Sequence, residues 1–213
     1  MRQQRDVSGF RRVSFRSFGE LIIRQGESES LEIEADEDAL ARTATEVRGD
    51  TLHIEIDRAW KWFFVPPQRI RMYLTVRDVD ALDVSGAGRL EADALVTDRL
   101  KLVLGGAGAI VVRSLSVDEL EVELDGVGTI RVAGRARTQD VSLPGAGTYD
   151  AGELESTAAT VRLTGVGQAT TWVTETLDAQ ISGVGSLDYY GEPEVKVDRT
   201  DLGTVKAHGK RRG

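Results

Sequence analysis

The frame Gly-x-Gly recurs through the second part of this chain and constrains its fold more than any other feature. Six intact copies follow one another at steps of 20, 20, 19, 20 and 18 residues, and a degenerate copy follows 18 residues later. Such a period is typical of a repeat architecture, in which each unit packs against its neighbours. We interpret the recurring glycines as structural corner residues: Gly86, Gly88, Gly106, Gly108, Gly126, Gly128, Gly145, Gly147, Gly165, Gly167, Gly183, Gly185 and Gly203.

The residues around each corner repeat with the glycines. Apolar residues stand two and four positions before the first glycine, as Val84 and Leu82 do, and another stands four positions after it, as Leu90 does. This alternation predicts strands with one buried face that enter and leave each corner. A unit of this length with short strands is one coil of a β-solenoid, and we predict about seven coils. Glycine suits a stacked corner because space for a Cβ is small and because positive φ is open to it.

Other repeat folds and glycine loops fit the pattern less well. A propeller blade needs about twice the period, and a leucine-rich repeat needs an Asn ladder and helical spacers. A dinucleotide-binding loop would lead into a long helix, whereas Gly88 is followed by another predicted strand. The segment Gly105–Ala109 echoes a calcium-binding nonapeptide but lacks its aspartate. These comparisons favour the solenoid and predict no calcium site.

Composition narrows the classes of function. The chain has no cysteine and two histidines, His53 and His208, so we expect no metal centre and no cofactor. Its net charge of −8 lies in residues 78–213, which argues against nucleic-acid binding. No apolar run is long enough to insert in a membrane. The residues after Met1 lack an apolar leader, which indicates either a cytoplasmic protein or one whose leader has been removed.

Residues 1–77 lack the repeat, and we predict that they form a β-rich N-terminal cap continuous with the solenoid of residues 78–207. Strands are predicted near residues 13–15, 20–26, 30–35, 45–48, 51–56 and 70–76, with helical turns at 36–42. A cap covers the backbone edge of the first coil. The basic tail 208–213 is predicted to be disordered, and the whole chain is expected to be one structural domain.

An aromatic segment between two predicted strands carries four of the chain's aromatic residues. Two interpretations remain open: a loop that folds back on the cap, or a contact patch for a partner or for another copy of the chain. The candidate contact residues are Trp60, Trp62, Phe63 and Phe64.

The candidate catalytic side chains are carboxylates and serines. Paired carboxylates would indicate a carbohydrate-active enzyme, but the candidate aspartates are expected to fall at different places in the repeat unit. Three serines lie at or near corners without a histidine close in sequence, so a hydrolytic triad is not expected. We therefore predict no catalytic residue and no enzyme. The residues considered are Asp83, Asp125, Asp140, Asp150, Asp178, Asp188, Ser85, Ser142 and Ser182.

The repeat, the N-terminal segments at 5–10, 21–26 and 31–35, and the ending at 189–195 and 202–206 together resemble a bacterial family described as "putative auto-transporter adhesin, head GIN domain". The resemblance covers residues 6 to 207. It implies a right-handed, single-stranded β-helix on an exported or lipid-anchored envelope protein, with an adhesive role and no established activity. It also implies self-association, with a trimer as one arrangement. Members of that family commonly read Gly-Ser-Gly-Asp at the corner, whereas this chain has an aliphatic middle residue.

These observations lead to one main hypothesis of function and two alternatives. The main hypothesis is a non-enzymatic structural or adhesin-like module of the bacterial cell envelope, with a cell-surface or glycan partner. The alternatives are a carbohydrate-active β-helix enzyme and a cytoplasmic assembly or regulatory module.

Overall fold

Strands make up 76% of the structure and helix 3%, in a parallel β-solenoid of about six turns. This result confirms the predicted all-β solenoid and is close to the predicted seven coils. The structure, a computed structural model, describes residues 1–56, 70–200 and 202–210. Within these residues, the strands belong to one sheet.

The first part of the chain forms shorter strands in mixed orientation. One helix, α1, begins after Asp36, whose carboxylate accepts a hydrogen bond of 2.7 Å from the backbone N–H of Ala39. Strand β3 pairs in parallel with both β7 and β9, so this region continues directly into the coils. The elements are β1 (Arg2–Arg5), β2 (Arg12–Arg16), β3 (Phe18–Gln25), β4 (Ser30–Glu34), α1 (Glu37–Arg42), β5 (Thr43–Arg48), β6 (Thr51–Ile56), β7 (Arg71–Val76), β8 (Ala81–Val84) and β9 (Ala87–Leu104).

From β9 onward, each long strand bends round most of a coil and pairs in parallel with the coils before and after it. The pairing keeps equivalent residues side by side: Ile110 pairs with Leu90 on one side and with Ile130 on the other. The remaining strands are β10 (Ala107–Leu124), β11 (Val127–Leu143), β12 (Ala146–Leu163), β13 (Val166–Ile181), β14 (Val184–Tyr190), β15 (Glu194–Arg199) and β16 (Thr204–Ala207).

The core is a set of ladders, each made of one inward residue per coil. Along one ladder, every side chain from β3 to β14 is fully buried, because alternate residues of each strand point inward. This ladder consists of Leu21, Leu90, Ile110, Ile130, Tyr149, Ala169 and Leu187.

The glycine corners stack directly on one another. A Cβ on Gly106 would lie 2.7 Å from the carbonyl carbon of Ser85 and nearer still to the oxygen of Gly86 in the previous coil. Of the glycines predicted as corners, Gly128 alone has a φ in the left-handed region. Lack of space therefore requires glycine at these corners, whereas positive φ, the other reason considered, does not in general apply. Gly88 and Gly203 differ, because a Cβ there would first meet a side chain, that of Phe15 or of Ile181.

Candidate functional site

A long groove follows the solenoid axis along one face. Its volume is about 1040 Å³, and it extends from Arg11 and Asp80 across β9 to β13 and on to β15. Two rows of outward side chains form it, with one residue of each row per coil. The first row is Arg99, Glu119, Thr138, Ala158, Thr176 and Glu194. The second row is Lys101, Glu121, Asp140, Thr160, Asp178 and Lys196.

The register of the strands determines the length and the floor of the groove. Six strands in register extend about 24 Å at the usual spacing of about 4.8 Å. Between the two rows lies an inward row that includes Leu100, Leu120 and Leu177, each at most 2% exposed. Because these floor residues are packed in the core, the groove is preformed.

The basic side chains of the groove are paired with acidic ones. Lys101 Nζ lies 2.8 Å from Glu121 Oε1 and 3.4 Å from Glu123 Oε2. The hydrogen bond with Glu121 raises the pKa of Lys101 above its ordinary value. Near one end, the hydrogen bond from Arg11, at 2.7 Å, holds the pKa of Asp80 below its usual range. Acidic groups outnumber basic ones among the lining residues, so the groove disfavours a polyanion.

Toward the middle, the groove becomes less charged. Thr138, Ala158, Thr160 and Thr176 lie close together in the two rows. The charged member of this part, Asp140, accepts a hydrogen bond of 2.6 Å from Arg162. The middle of the groove therefore offers hydroxyl donors and acceptors, carboxylate acceptors and small side chains that leave room for a ligand.

Two of the candidate aspartates line this groove, two coils apart. Asp140 and Asp178 occupy the same row, with Thr160 between them. Asp150 and Asp188 likewise share one row on another part of the coil. The expectation that the aspartates fall at different places in the unit is therefore wrong for both pairs. Each pair keeps a constant distance in sequence from a corner glycine: Asp140 and Asp178 lie five residues before one, and Asp150 and Asp188 lie five residues after one.

Asp83 lies in a polar row that the sequence did not reveal. Ser14 pairs with His53 on one side and with Asp83 on the other. Among the described residues, Ser14 Oγ, His53 Nδ1 and Asp83 Oδ1 are buried and have no hydrogen-bond partner. Serine, histidine and aspartate thus come together without the hydrogen bonds that make a nucleophile and its base. Strand pairing between distant segments creates the row, so sequence spacing gave no signal.

The other predicted site residues lie apart from the groove or outside the described residues. Asp125, Ser85 and Ser182 lie at exposed corners, and Ser142 lies on β11. The aromatic contact candidates, Trp60, Trp62, Phe63 and Phe64, fall outside the described residues. Over the described ranges, no group of His, Asp and Glu side chains is arranged to hold a metal ion. In the same ranges, no helix is long and apolar enough to cross a membrane.

Contacts hold the described part of the tail to the last coils. His208 Nε2 lies 2.6 Å from Asp188 Oδ1, and its ring stacks on Tyr190 with a centroid separation of 5.0 Å. Partial burial raises the pKa of Asp188, but hydrogen bonds from His208 and Gln168 outweigh that effect and lower it overall. Lys210 lies 3.3 Å from Glu192. The tail therefore extends the contacts of the last coil as far as Lys210.

A buried polar chain crosses the core beneath the groove. Tyr149 donates its hydroxyl to Gln139 Oε1 at 2.7 Å, and Gln139 Nε2 donates to Ser156 Oγ at 2.7 Å. Ser156 in turn donates to the carbonyl oxygen of Trp172 at 2.9 Å. Burial raises the pKa of Tyr149, so its hydroxyl remains a donor. The sequence signal for this network is a Tyr and a Gln at repeat positions where most coils carry an aliphatic residue.

Comparison with known proteins identifies the family. The family model described as "Putative auto-transporter adhesin, head GIN domain" matches residues 9–193. The chain belongs to this family. The predicted resemblance is confirmed, and the family description supports an adhesin-like module. Among curated proteins, none matches this chain.

Solved structures show the same fold over nearly the whole chain. A structure from Bacteroides fragilis NCTC 9343, described as a "putative adhesin", has a TM-score of 0.92 at 25% identity and covers 97% of this chain and 96% of that chain. A "putative adhesin" from Parabacteroides merdae ATCC 43184 has a TM-score of 0.75 at 24% identity, with 97% and 95% covered. A "Putative lipid binding protein" from Parabacteroides distasonis ATCC 8503 has a TM-score of 0.76 at 19% identity, with 97% and 96% covered.

Proposed function

We propose that this chain is a non-enzymatic adhesin-like module of the bacterial cell envelope that binds an extended, uncharged glycan along the axial groove. The observation that carries the proposal is the preformed groove of about 1040 Å³ that crosses successive coils in register. Membership of an adhesin family supports a surface location.

The shape of the groove favours a linear polymer. Each coil adds one residue to each row, so a ligand lying along the axis meets equivalent positions about every 4.8 Å. A small, compact ligand would occupy only part of such an open groove. Length and regularity therefore favour a chain of repeating units.

The chemistry of the middle section favours neutral hydroxyl groups in the ligand. The hydroxyls of Thr138, Thr160 and Thr176 donate and accept hydrogen bonds, and the carboxylate of Asp140 accepts them. The acidic excess of the lining repels sulfated or uronic-acid polymers. A neutral glycan matches both features.

Binding to an array of neutral and anionic glycans, measured with the full chain, tests the proposal. Ala158→Arg and Thr160→Arg place a long cation in the middle of the groove, and we expect each to weaken binding at least about tenfold. Ala94→Arg is the matched control, because Ala94 is exposed on β9 away from the groove lining. No binding to any neutral glycan, or equal loss with Ala94→Arg, would contradict the proposal.

The enzyme alternative is tested in the same experiment. Glu121 and Asp140 lie side by side on adjacent strands, about 4.8 Å apart at the backbone, and retaining glycosidases place their two carboxyl groups about 5–5.5 Å apart. Both carboxylates have cationic partners, Lys101 and Arg162, whereas a general acid must hold a proton. We therefore expect no reducing ends to be released from a bound glycan. Their release, together with its loss in Asp140→Asn, would assign a hydrolase instead.

The genomic reading frame around Met1 tests the envelope location. An export signal or lipid-attachment sequence upstream of Met1 in the same reading frame is the expected result. A genomic start at Met1 together with recovery of the protein in the cytoplasmic fraction would favour the cytoplasmic alternative.

A further inference from the structure

The exposed aliphatic side chains of this protein are concentrated on one row. At each corner, the residue between the two glycines points outward, and the three valines of this set are 62%, 59% and 52% exposed. Leu202, which continues the row beyond β14, is 69% exposed. Of the seven large exposed hydrophobic residues in the described ranges, these are four. The corner row is Ala87, Ala107, Val127, Ala146, Val166 and Val184.

The residues on both sides of the corner row are nearly free of charge. Charged residues make up 29% of the chain, but among the flanking positions only Arg89 and Asp125 are charged. We call the row and its two flanks the corner face. One flank is Ser85, Gly105, Asp125, Pro144, Thr164 and Ser182, and the other is Arg89, Ala109, Thr129, Thr148, Gln168 and Ser186.

We propose that the corner face binds a second copy of this chain in an antiparallel, two-fold arrangement centred between Val127 and Ala146. In chain order the row reads Ala, Ala, Val, Ala, Val, Val. Read in reverse, it reads Val, Val, Ala, Val, Ala, Ala, so every valine of one copy meets an alanine of the other. Large side chains then fill the space above small ones along the whole row, as an isologous interface requires.

The two charges of the face are compatible with this arrangement. A two-fold axis that lies in the interface plane and runs across the row brings the two faces together and reverses the order of the coils, so each flank meets itself. Asp125 then faces Pro144 of the other copy, and Arg89 faces Ser186. Neither charge faces its like directly. Since the chain carries a net charge of −8, a face almost free of charge is where two copies approach with least repulsion.

The size of the corner face agrees with that of a specific interface. Six coils at about 4.8 Å give a length of about 29 Å, and three outward positions across the bend, at up to about 6.7 Å each, give a width of up to about 20 Å. The face therefore measures up to about 580 Å² per copy, and a dimer covers up to about 1,160 Å² in total, against a lower limit of about 1,000 Å² for specific interfaces. The aliphatic row alone would cover about a third of that area.

Mass measurement tests the proposal on the full chain. We expect sedimentation equilibrium to give twice the monomer mass, and Val166→Glu to shift the protein to monomer with at least about tenfold weaker association. Val96→Glu is the matched control, because Val96 is 65% exposed on another row and should leave the dimer unchanged. Glycan binding by Val166→Glu should be retained, since the groove is on a different part of the coil. A monomer or a trimer of the unmodified chain would overturn the proposal.

Cysteine cross-linking tests the direction of the two copies, and the chain has no native cysteine to interfere. Ala107 and Val166 lie three coils apart in one chain, about 14 Å, which is beyond disulfide reach. Across the two-fold they face each other. The double variant Ala107→Cys and Val166→Cys should therefore form a covalent dimer on oxidation, as should an equal mixture of the two single variants. A single variant alone that cross-links as readily, or a mixture that does not cross-link, would overturn the antiparallel arrangement.

Discussion

Replacing Gly106 by alanine should destabilise the solenoid by about 3 kcal/mol or more, because the corners have no room for one more carbon. The added Cβ would lie 2.7 Å from the carbonyl carbon of Ser85, about 1 Å inside the usual carbon–carbon separation of about 3.5–4.0 Å. To relieve this overlap, the two coils must separate at the corner. That movement breaks the hydrogen bonds from Gly106 N to Val84 O, 3.2 Å, and from Ala107 N to Gly86 O, 3.0 Å.

The magnitude follows from these two bonds and the overlap. Each lost hydrogen bond costs about 0.5–1.5 kcal/mol net, and more where the freed group stays buried. Together with overpacking of about 1–3 kcal/mol, the total is about 2–6 kcal/mol. A loss of about 3 kcal/mol should lower the melting temperature by about 6–12 °C at about 2–4 °C per kcal/mol. Thermal unfolding followed by far-ultraviolet circular dichroism measures this shift.

Gly105 is the internal control. It precedes Gly106 directly, but a Cβ there would meet nothing within 4 Å, and its φ is not positive. Gly105→Ala should be neutral or slightly stabilising, by up to about 1 kcal/mol, since it reduces the entropy of the unfolded chain. Equal melting temperatures for the two variants would refute the argument that stacking of the corners selects glycine.

Two further predictions concern the core and the response to acid. Tyr149→Phe should cost about 1–3 kcal/mol because it leaves Gln139 Oε1 buried without its donor. Adding Gln139→Leu should recover most of the loss, because two earlier coils carry leucine in that row. Urea unfolding of the single and double variants measures the recovery. A double variant no more stable than the single variant would contradict this prediction. A folded carboxyl with a lowered pKa contributes stability above its unfolded pKa, about 3.9 for aspartate, and loses that contribution as pH falls through the folded pKa. Asp80 and Asp188 are such groups, so the melting temperature should decrease as the pH is lowered below about 4. The melting temperature of Asp188→Asn should decrease less steeply with pH, and an equal slope would exclude Asp188 as a contributor.

The sequence predicted those parts of the fold that depend on local repetition. Gly-x-Gly spacing and the alternation around residues such as Leu82 and Leu90 predict strands, corners and inward ladders, because each coil repeats the same local requirements. Helix α1 was predicted for a similar reason, since its acidic first turn and its apolar spacing are local in sequence.

The candidate site was only partly predictable in the same way. On β9 to β13, the two rows of the groove stand seven and five residues before the next corner, so their alignment follows from the repeat, but the depth and volume of the groove depend on how the coils bend. The row of His53, Ser14 and Asp83 depends on pairing between strands far apart in the chain. Such features follow from the register of the folded chain, which a single sequence does not state.

The buried chain from Tyr149 through Gln139 also bears on how the coils find their correct neighbours during folding. Successive coils are so alike that a strand displaced by one whole coil would still stack glycine on glycine and aliphatic on aliphatic. Strand β12 paired with β10 in place of β11 would put the Tyr149 hydroxyl beside Leu120, where it has no acceptor. The displaced pairing would leave a hydroxyl and an amide unbonded in the core, each at a cost of about 1–3 kcal/mol. One irregular pair of residues thus distinguishes the native stacking from a mispaired trap that the aliphatic ladders alone would tolerate.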